Sequence, residues 1–251
     1  MLDIATCEIE QMNNQRWGIY IDIEGFRAKF DDDLEALNSL RALMEGIYSV
    51  GTKVYYDDVK RIFAHQLGDG FIIVSCFHED ILDRAISITI ALMRHVLASG
   101  GIAKASIAEG NFADINSCYP KCILESQKES TGNNSLRLGR GIMATIPVMG
   151  TALINAIGVD KQAPSGSLLT LRSKDSDRIS EDFTVTKIEN NLISVNWIKD
   201  EPSLVSEIVT KADFVESSET ERIKMLNKYI ENNNLSPNWV RTTRYELGIS
   251  I

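Results

Sequence analysis

The period of apolar and polar positions changes along the chain, and each change marks an element. Trp17-Gly18-Ile19-Tyr20-Ile21-Asp22-Ile23 is an apolar, β-branched run that closes on an acid, with Glu24 and Gly25 following. It predicts a first strand. Leu34, Leu37, Leu40, Leu43, Met44, Ile47 and Tyr48 then fall three and four apart, which predicts an amphipathic helix. Asp31-Asp32-Asp33 before it reads as helix-start chemistry favoured by the helix dipole, since three adjacent carboxylates converge on one ion only if a loop folds around it. Arg61 to Leu67 and Phe71 to Phe77 predict two strands joined at Gly68-Asp69-Gly70, where Asp-Gly supplies the positive φ of a tight hairpin and Asp69 stands at the tip.

Ile81 to Ala98 is apolar on most sides and predicts a well-buried helix, ended by Gly100-Gly101. Ile102 to Glu109 reads as another strand. Asn111 to Ser135 is a long polar segment, of the kind that is functional or mobile. Gly139 to Ala163 is helix-like in pattern, broken at Pro147. Strands follow at Leu168 to Leu171, Phe183 to Ile188 and Leu192 to Trp197, and helices at Leu204 to Val209 and Glu219 to Ile230; Trp239 to Ile251 is mixed. No repeat or low-complexity linker interrupts the chain. The order strand, helix, hairpin, helix, strand matches a ferredoxin-like β-α-β-β-α-β core in one α/β (α+β) domain, with a C-terminal strand and helix extension.

Composition narrows the class. With 251 residues, 44% of them hydrophobic and 24% charged, the chain can build a sizeable core. A net charge of -9 argues against binding a nucleic-acid polymer over a broad surface. A small anionic ligand would then be held by metal or backbone amides. Cys7, Cys76, Cys118 and Cys122 lack zinc-site spacing and are expected as reduced thiols. No apolar run reaches the roughly 20 residues of a membrane span, and Asp3, Glu8 and Glu10 make the N-terminus too acidic for a signal peptide. The expected location is the cytoplasm.

Asp22 and Asp69 each end an apolar strand-like run beside a glycine. Singly, each acid reads as turn chemistry. Together they suit a site for Mg²⁺ or Mn²⁺, which prefer hard oxygen donors. Tyr20 shares the Asp22 face by strand alternation and suits either a base-flanking role or core packing. His65 suits a base or sugar contact or a half-buried strand position. Arg27 could touch phosphate, whereas Arg137 and Arg140 could supply a cation at the site but read mainly as solvated, and His78 and His95 as surface and helix residues.

Asp22-Ile23-Glu24-Gly25-Phe26 and Gly68-Asp69 together resemble the two metal motifs of the class III nucleotidyl cyclases, over roughly residues 14–172. The resemblance implies a catalytic domain over 14–172, with 173–251 packed on it. It implies two divalent cations, Mn²⁺ or Mg²⁺, bridged by Asp22 and Asp69 with the Ile23 carbonyl as a further ligand. The backbone amides of Glu24, Gly25, Phe26 and Arg27 would hold phosphate oxygens. It also implies a homodimer with composite sites.

The chain departs from that family's purine-specific pattern. His65 stands where the family usually has a base-reading lysine, four residues before the hairpin acid. Aligning Gly150 with the glycine of the later motif puts Pro147 at the base-reading acid, Ile154 at the asparagine and Gly158 at the arginine, and Asn155 misses the register by one. A site lacking those readers is poorly matched to a purine edge. In these respects the chain looks like the pyrimidine cyclases of the bacterial Pycsar antiphage system, which make cyclic UMP or cyclic CMP sensed by a downstream effector. The expectation is a cyclase using UTP, or alternatively CTP. A catalytically silent cyclase-fold sensor is the second reading. A diguanylate cyclase is the third, and would need a second acid at Gly70.

Overall fold

The computed structural model describes residues 15–25, 34–57, 60–114, 135–138, 140–144 and 148–249. The acidic triplet, Phe26, Arg27, Pro147 and the cysteines other than Cys76 lie outside these residues. In chain order the elements begin β1 (Gln15–Ile23), α1 (Leu34–Ser49) with a π-helical turn (Val50–Val54), β2 (Ile62–Leu67), β3 (Gly70–Ser75), α2 (Asp83–Ala98) and β4 (Ala103–Asn111). Two-residue β5 (Ala113–Asp114), the hairpin β6 (Ser135–Leu138) and β7 (Gly141–Ala144), and β8 (Val148–Met149) lead to α3 (Thr151–Gln162) and β9 (Leu169–Arg172). A 3₁₀ turn (Ser173–Arg178), β10 (Val185–Ile188), β11 (Leu192–Val195), α4 (Ser203–Lys211), α5 (Glu219–Asn232) and α6 (Pro237–Glu246) complete the chain.

Seven strands form one sheet in the order β10-β11-β9-β4-β1-β3-β2. Within it, β4-β1-β3-β2 is the strand order of a ferredoxin-like β-α-β-β-α-β unit, with β1 antiparallel to both neighbours. The period-2 rule then separates two faces. Trp17, Ile19, Ile21 and Ile23 of β1 enter the main core with Leu43 of α1, Ile86, Ile90 and Met93 of α2, and Val205 and Leu226 of α4 and α5. Gly18, Tyr20 and Asp22 face the other way, toward α3. There Ala152, Ala156 and Val159 pack on Ile72, Val74, Ala108 and Phe112.

Glycine lets α3 lie close. A Cβ on Gly110 would sit 2.3 Å from the Ala152 nitrogen, so the helix start occupies the space a side chain would need. β9 joins β4 in parallel, and β11 and β10 extend the sheet beyond it.

Two local expectations change. The helix-like pattern over 139–163 divides into strands β7 and β8 before α3 begins at Thr151, a consequence of short apolar runs that carry no decisive period. The mixed C-terminal stretch is α6, whose start is written in Ser236-Pro237: the Ser236 hydroxyl accepts from the Trp239 amide and proline occupies the first turn.

Candidate active site

Asp22 is the last outward-facing residue of β1, and strand register surrounds it. It pairs with Gly70 of β3 on one side and Lys104 of β4 on the other. The next row places Tyr20 beside Ile72, which in turn faces His65 of β2. Asp69 occupies the two-residue turn between β2 and β3. The turn geometry corrects the sequence reading: Gly68, with φ +69°, supplies the left-handed residue, and Gly70 belongs to the strand. Gly70 makes room instead. A Cβ there would lie 3.0 Å from both Asp22 Oδ1 and the Ile21 carbonyl, and 3.1 Å from the Tyr20 ring.

Asp22 Oδ1 is buried and has no hydrogen-bond partner among the described residues. Burial, followed by repulsion from Asp69, pushes its carboxyl up to about 7, with Lys104 opposing and Asp160 and Glu24 adding to the rise. Burial also raises the Tyr20 phenol well above its ordinary value, and Asp22, Asp160 and Asp69 add to it, so Tyr20 faces the same acids. A buried, unpartnered carboxylate oxygen beside a second acid is costly unless a cation compensates it. The donor chemistry therefore fits a hard divalent ion. Among the described residues no group of three or more His, Cys, Asp or Glu converges on one point, so further ligands would come from the backbone or bound phosphate.

Lys104 supplies local positive charge. Its ammonium lies 3.3 Å from Asp160 of α3 and 3.6 Å from Glu24. Burial works against the charged form, but Asp160, Glu24 and Asp22 outweigh it and hold the Lys104 pKa above the lysine value. A cavity of about 320 Å³ opens beside this pair, with Ser165 and Thr170 in its wall. A larger one, about 600 Å³, lies on the opposite side of the sheet against α2, α4 and α5, away from the acids. Its buried Arg94 and Arg222 donate to the carbonyls of Trp197 and Ile198, ties that secure the loop before α4.

Not every residue singled out in the sequence converges. The Glu24 amide donates to the Ile102 carbonyl at 3.0 Å, so it is engaged within the fold. Gly25 follows with φ +75°, and Ile23 turns its side chain into the core, leaving only its backbone toward the turn. His65 reaches the α3 face, where its ring tilts against Phe112 at 6.1 Å. Arg137 lies in the separate β6–β7 hairpin and Arg140 is exposed between its strands. Ile154 is 67% exposed on α3, a Cβ at Gly158 would meet open space, and Asn155 is bound to the Glu109 carbonyl at 2.7 Å. His78 and His95 are remote from the acids in contact: His78 bonds the Gln15 carbonyl, and His95 stacks on Phe214 at 4.2 Å.

Lys104 and Asp160 escaped the sequence reading. The polar alternation Lys104-Ser106 within an apolar strand was a visible signal for the first. Nothing local marked Asp160, which meets Lys104 only through the crossover to α3.

No family model matches the chain, and no curated protein does. Solved structures similar to it include the dimeric guanylyl cyclase domain of the RhoGC fusion protein from the aquatic fungus Blastocladiella emersonii. That match has 9% identity and a TM-score of 0.46, and covers 72% of this chain and 93% of that one. A class III adenylyl cyclase-like ATP-binding protein from Pseudomonas aeruginosa is similar at 14% identity and a TM-score of 0.41, over 79% of this chain and 40% of that one. Likeness at this level decides nothing about activity. The mixed α/β architecture stands on the strand order and register themselves.

Proposed function

We propose that the chain is a class III nucleotidyl cyclase that closes a pyrimidine nucleoside triphosphate, UTP in first place and CTP as the alternative, to its 3′,5′-cyclic monophosphate and pyrophosphate. The observation that carries this reading is the proximity of Asp22 and Asp69 at one end of the β4-β1-β3-β2 unit, with the buried Asp22 Oδ1 lacking a partner among the described residues. Two divalent ions, Mn²⁺ or Mg²⁺, would supply activation of the ribose 3′-hydroxyl and neutralisation of the triphosphate. Asp22 and Asp69 would hold them, with the Ile23 carbonyl. Lys104, directly across from Asp22, suits a phosphate oxygen, a role the family's expected arginine does not fill at Gly158. Tyr20 and His65 line the same face and suit contact with the smaller base or the sugar, and the backbone amides of Gly25, Phe26 and Arg27 would hold phosphate oxygens, as the resemblance implies. The catalytic machinery lies within 14–172, and 173–251 completes the sheet and core around it.

The reading extends to a homodimer with composite sites, and to a second-messenger role in antiphage defence, where an effector senses the cyclic product. The reading places the chain in the cytoplasm; among the described residues no helix is long and apolar enough to cross a membrane. A catalytically silent nucleotide sensor is the second reading, favoured by glycine at the arginine position.

The deciding experiment incubates the protein with each of the four ribonucleoside triphosphates and Mn²⁺ and identifies the products. Cyclic UMP or cyclic CMP, abolished in Asp22→Ala and Asp69→Ala, is expected. Cyclic AMP alone would overturn the pyrimidine assignment, and no product from any nucleotide would favour the sensor.

A further inference from the structure

The C-terminal helices reach the acid end of β1. Trp239 of α6 and Tyr229 of α5 are only 4% and 5% exposed, and their rings meet at 6.4 Å within the main core. Both turn their polar atoms to Glu24, two residues beyond Asp22. The Trp239 Nε1–H donates to Glu24 Oε2 at 2.9 Å, and the Tyr229 hydroxyl donates to the Glu24 carbonyl at 3.4 Å. The other carboxylate oxygen of Glu24 faces Lys104 at 3.6 Å, and its amide bonds Ile102. The four polar groups of Glu24 are thereby tied to β4 and the residue before it, to α5 and to α6.

We propose that Trp239 is a positioning residue for the metal turn: through its indole N–H on Glu24 it sets the backbone beyond Asp22 in the arrangement that accepts a divalent cation. The inference rests on the metal reading of Asp22 and Asp69 and gives the C-terminal extension a part in that site. A buried indole N–H needs an acceptor, and this one finds a carboxylate on the turn itself, although the core offers backbone carbonyls as Trp197 uses. The bond fixes where the chain leaves β1. It also helps to screen a negative charge that otherwise adds to the crowding of carboxylates at Asp22. Partners that orient a ligand in this way typically carry about 10- to 100-fold of metal affinity.

The test is Mn²⁺ binding to the full chain, read without nucleotide or turnover from the loss of the free-ion EPR signal. Trp239→Phe keeps the ring and removes the donor, and is expected to weaken Mn²⁺ by about 10-fold. Glu24→Ala removes the acceptor and keeps both rings, and is expected to do the same should the Phe variant fold poorly. Glu24→Gln still offers the indole an acceptor, and is expected to restore binding to within about twofold of wild type, a recovery that lies well inside the weakening expected of the lost donor. Wild-type affinity in both Trp239→Phe and Glu24→Ala, with Asp22→Ala still abolishing binding, would overturn the positioning role and leave the metal site standing. Undiminished binding in Asp22→Ala would overturn the metal reading, and this inference with it.

Discussion

Burial and Asp69 push the Asp22 carboxyl up to about 7, far from the 3.8 of a free aspartate, and that difference couples the acid to stability. Between these values the folded chain holds a proton that the unfolded chain has released. Stability on account of Asp22 therefore falls as pH rises from about 4 to 7, and the whole penalty persists above. Asp22→Asn removes the charge while keeping the shape. Free of divalent ions, this variant is expected to melt several degrees above wild type at pH 8 and at about the same temperature near pH 4, as thermal scans across that range would show. An Asn variant that melts lower at pH 8 would mean that the ionised carboxylate is already compensated within the protein. Gly70 belongs to the same local arrangement, because the space it leaves is filled by the Asp22 carboxylate and the Tyr20 ring.

At the scale of elements, the contact of α3 with β4 decides whether the site has a wall. Gly110 lies under the first residues of α3, and an added Cβ would meet backbone atoms of Thr151 and Ala152 at 2.5 and 2.3 Å. Backbone on both sides cannot turn aside as a flexible side chain would. Gly110→Ala is expected to destabilise by at least about 2 kcal/mol, measured by denaturant unfolding. Because α3 carries Asp160, the displacement should also release Lys104 from one of its two carboxylate partners. The hairpin shows a complementary economy. Gly68 turns the chain, Gly70 clears a space, and Asp69 between them stands near enough to raise the Asp22 carboxyl.

For the whole molecule, the extension beyond 172 is part of one hydrophobic core. Leu226, Trp239 and Leu247 are almost fully buried in the cluster that holds Ile21, Leu43 and Ile90, and the Asn196 side chain donates to the Leu247 carbonyl. Thr243 of α6 accepts from the Ser167 amide just before β9. A chain ending at Ser217 would expose the face these residues cover and leave Glu24 without two of its ties. It is expected to lose cooperative thermal unfolding and to bind a hydrophobic dye in native buffer. A truncated chain with a wild-type melting profile would show that α5 and α6 only decorate the fold.

The sequence by itself determined the β-α-β-β-α-β succession through β4 and the two acid positions, because strand and helix periods are local and a ferredoxin-like succession admits few arrangements. Tyr20 and Asp22 share a face by alternation alone. It also carried the signal for α6 in Ser236-Pro237. Only the tertiary structure decided that Lys104 stands across from Asp22, that Asp160 and Glu24 hold its ammonium, and that Trp239 ties the turn after β1 from 215 residues away. These are matters of register and packing between distant segments, and no local pattern records them. The same distinction applies to the glycines beside the acids: composition marked both as turn residues, but the approach of β1 reserved one of them for the Asp22 carboxylate.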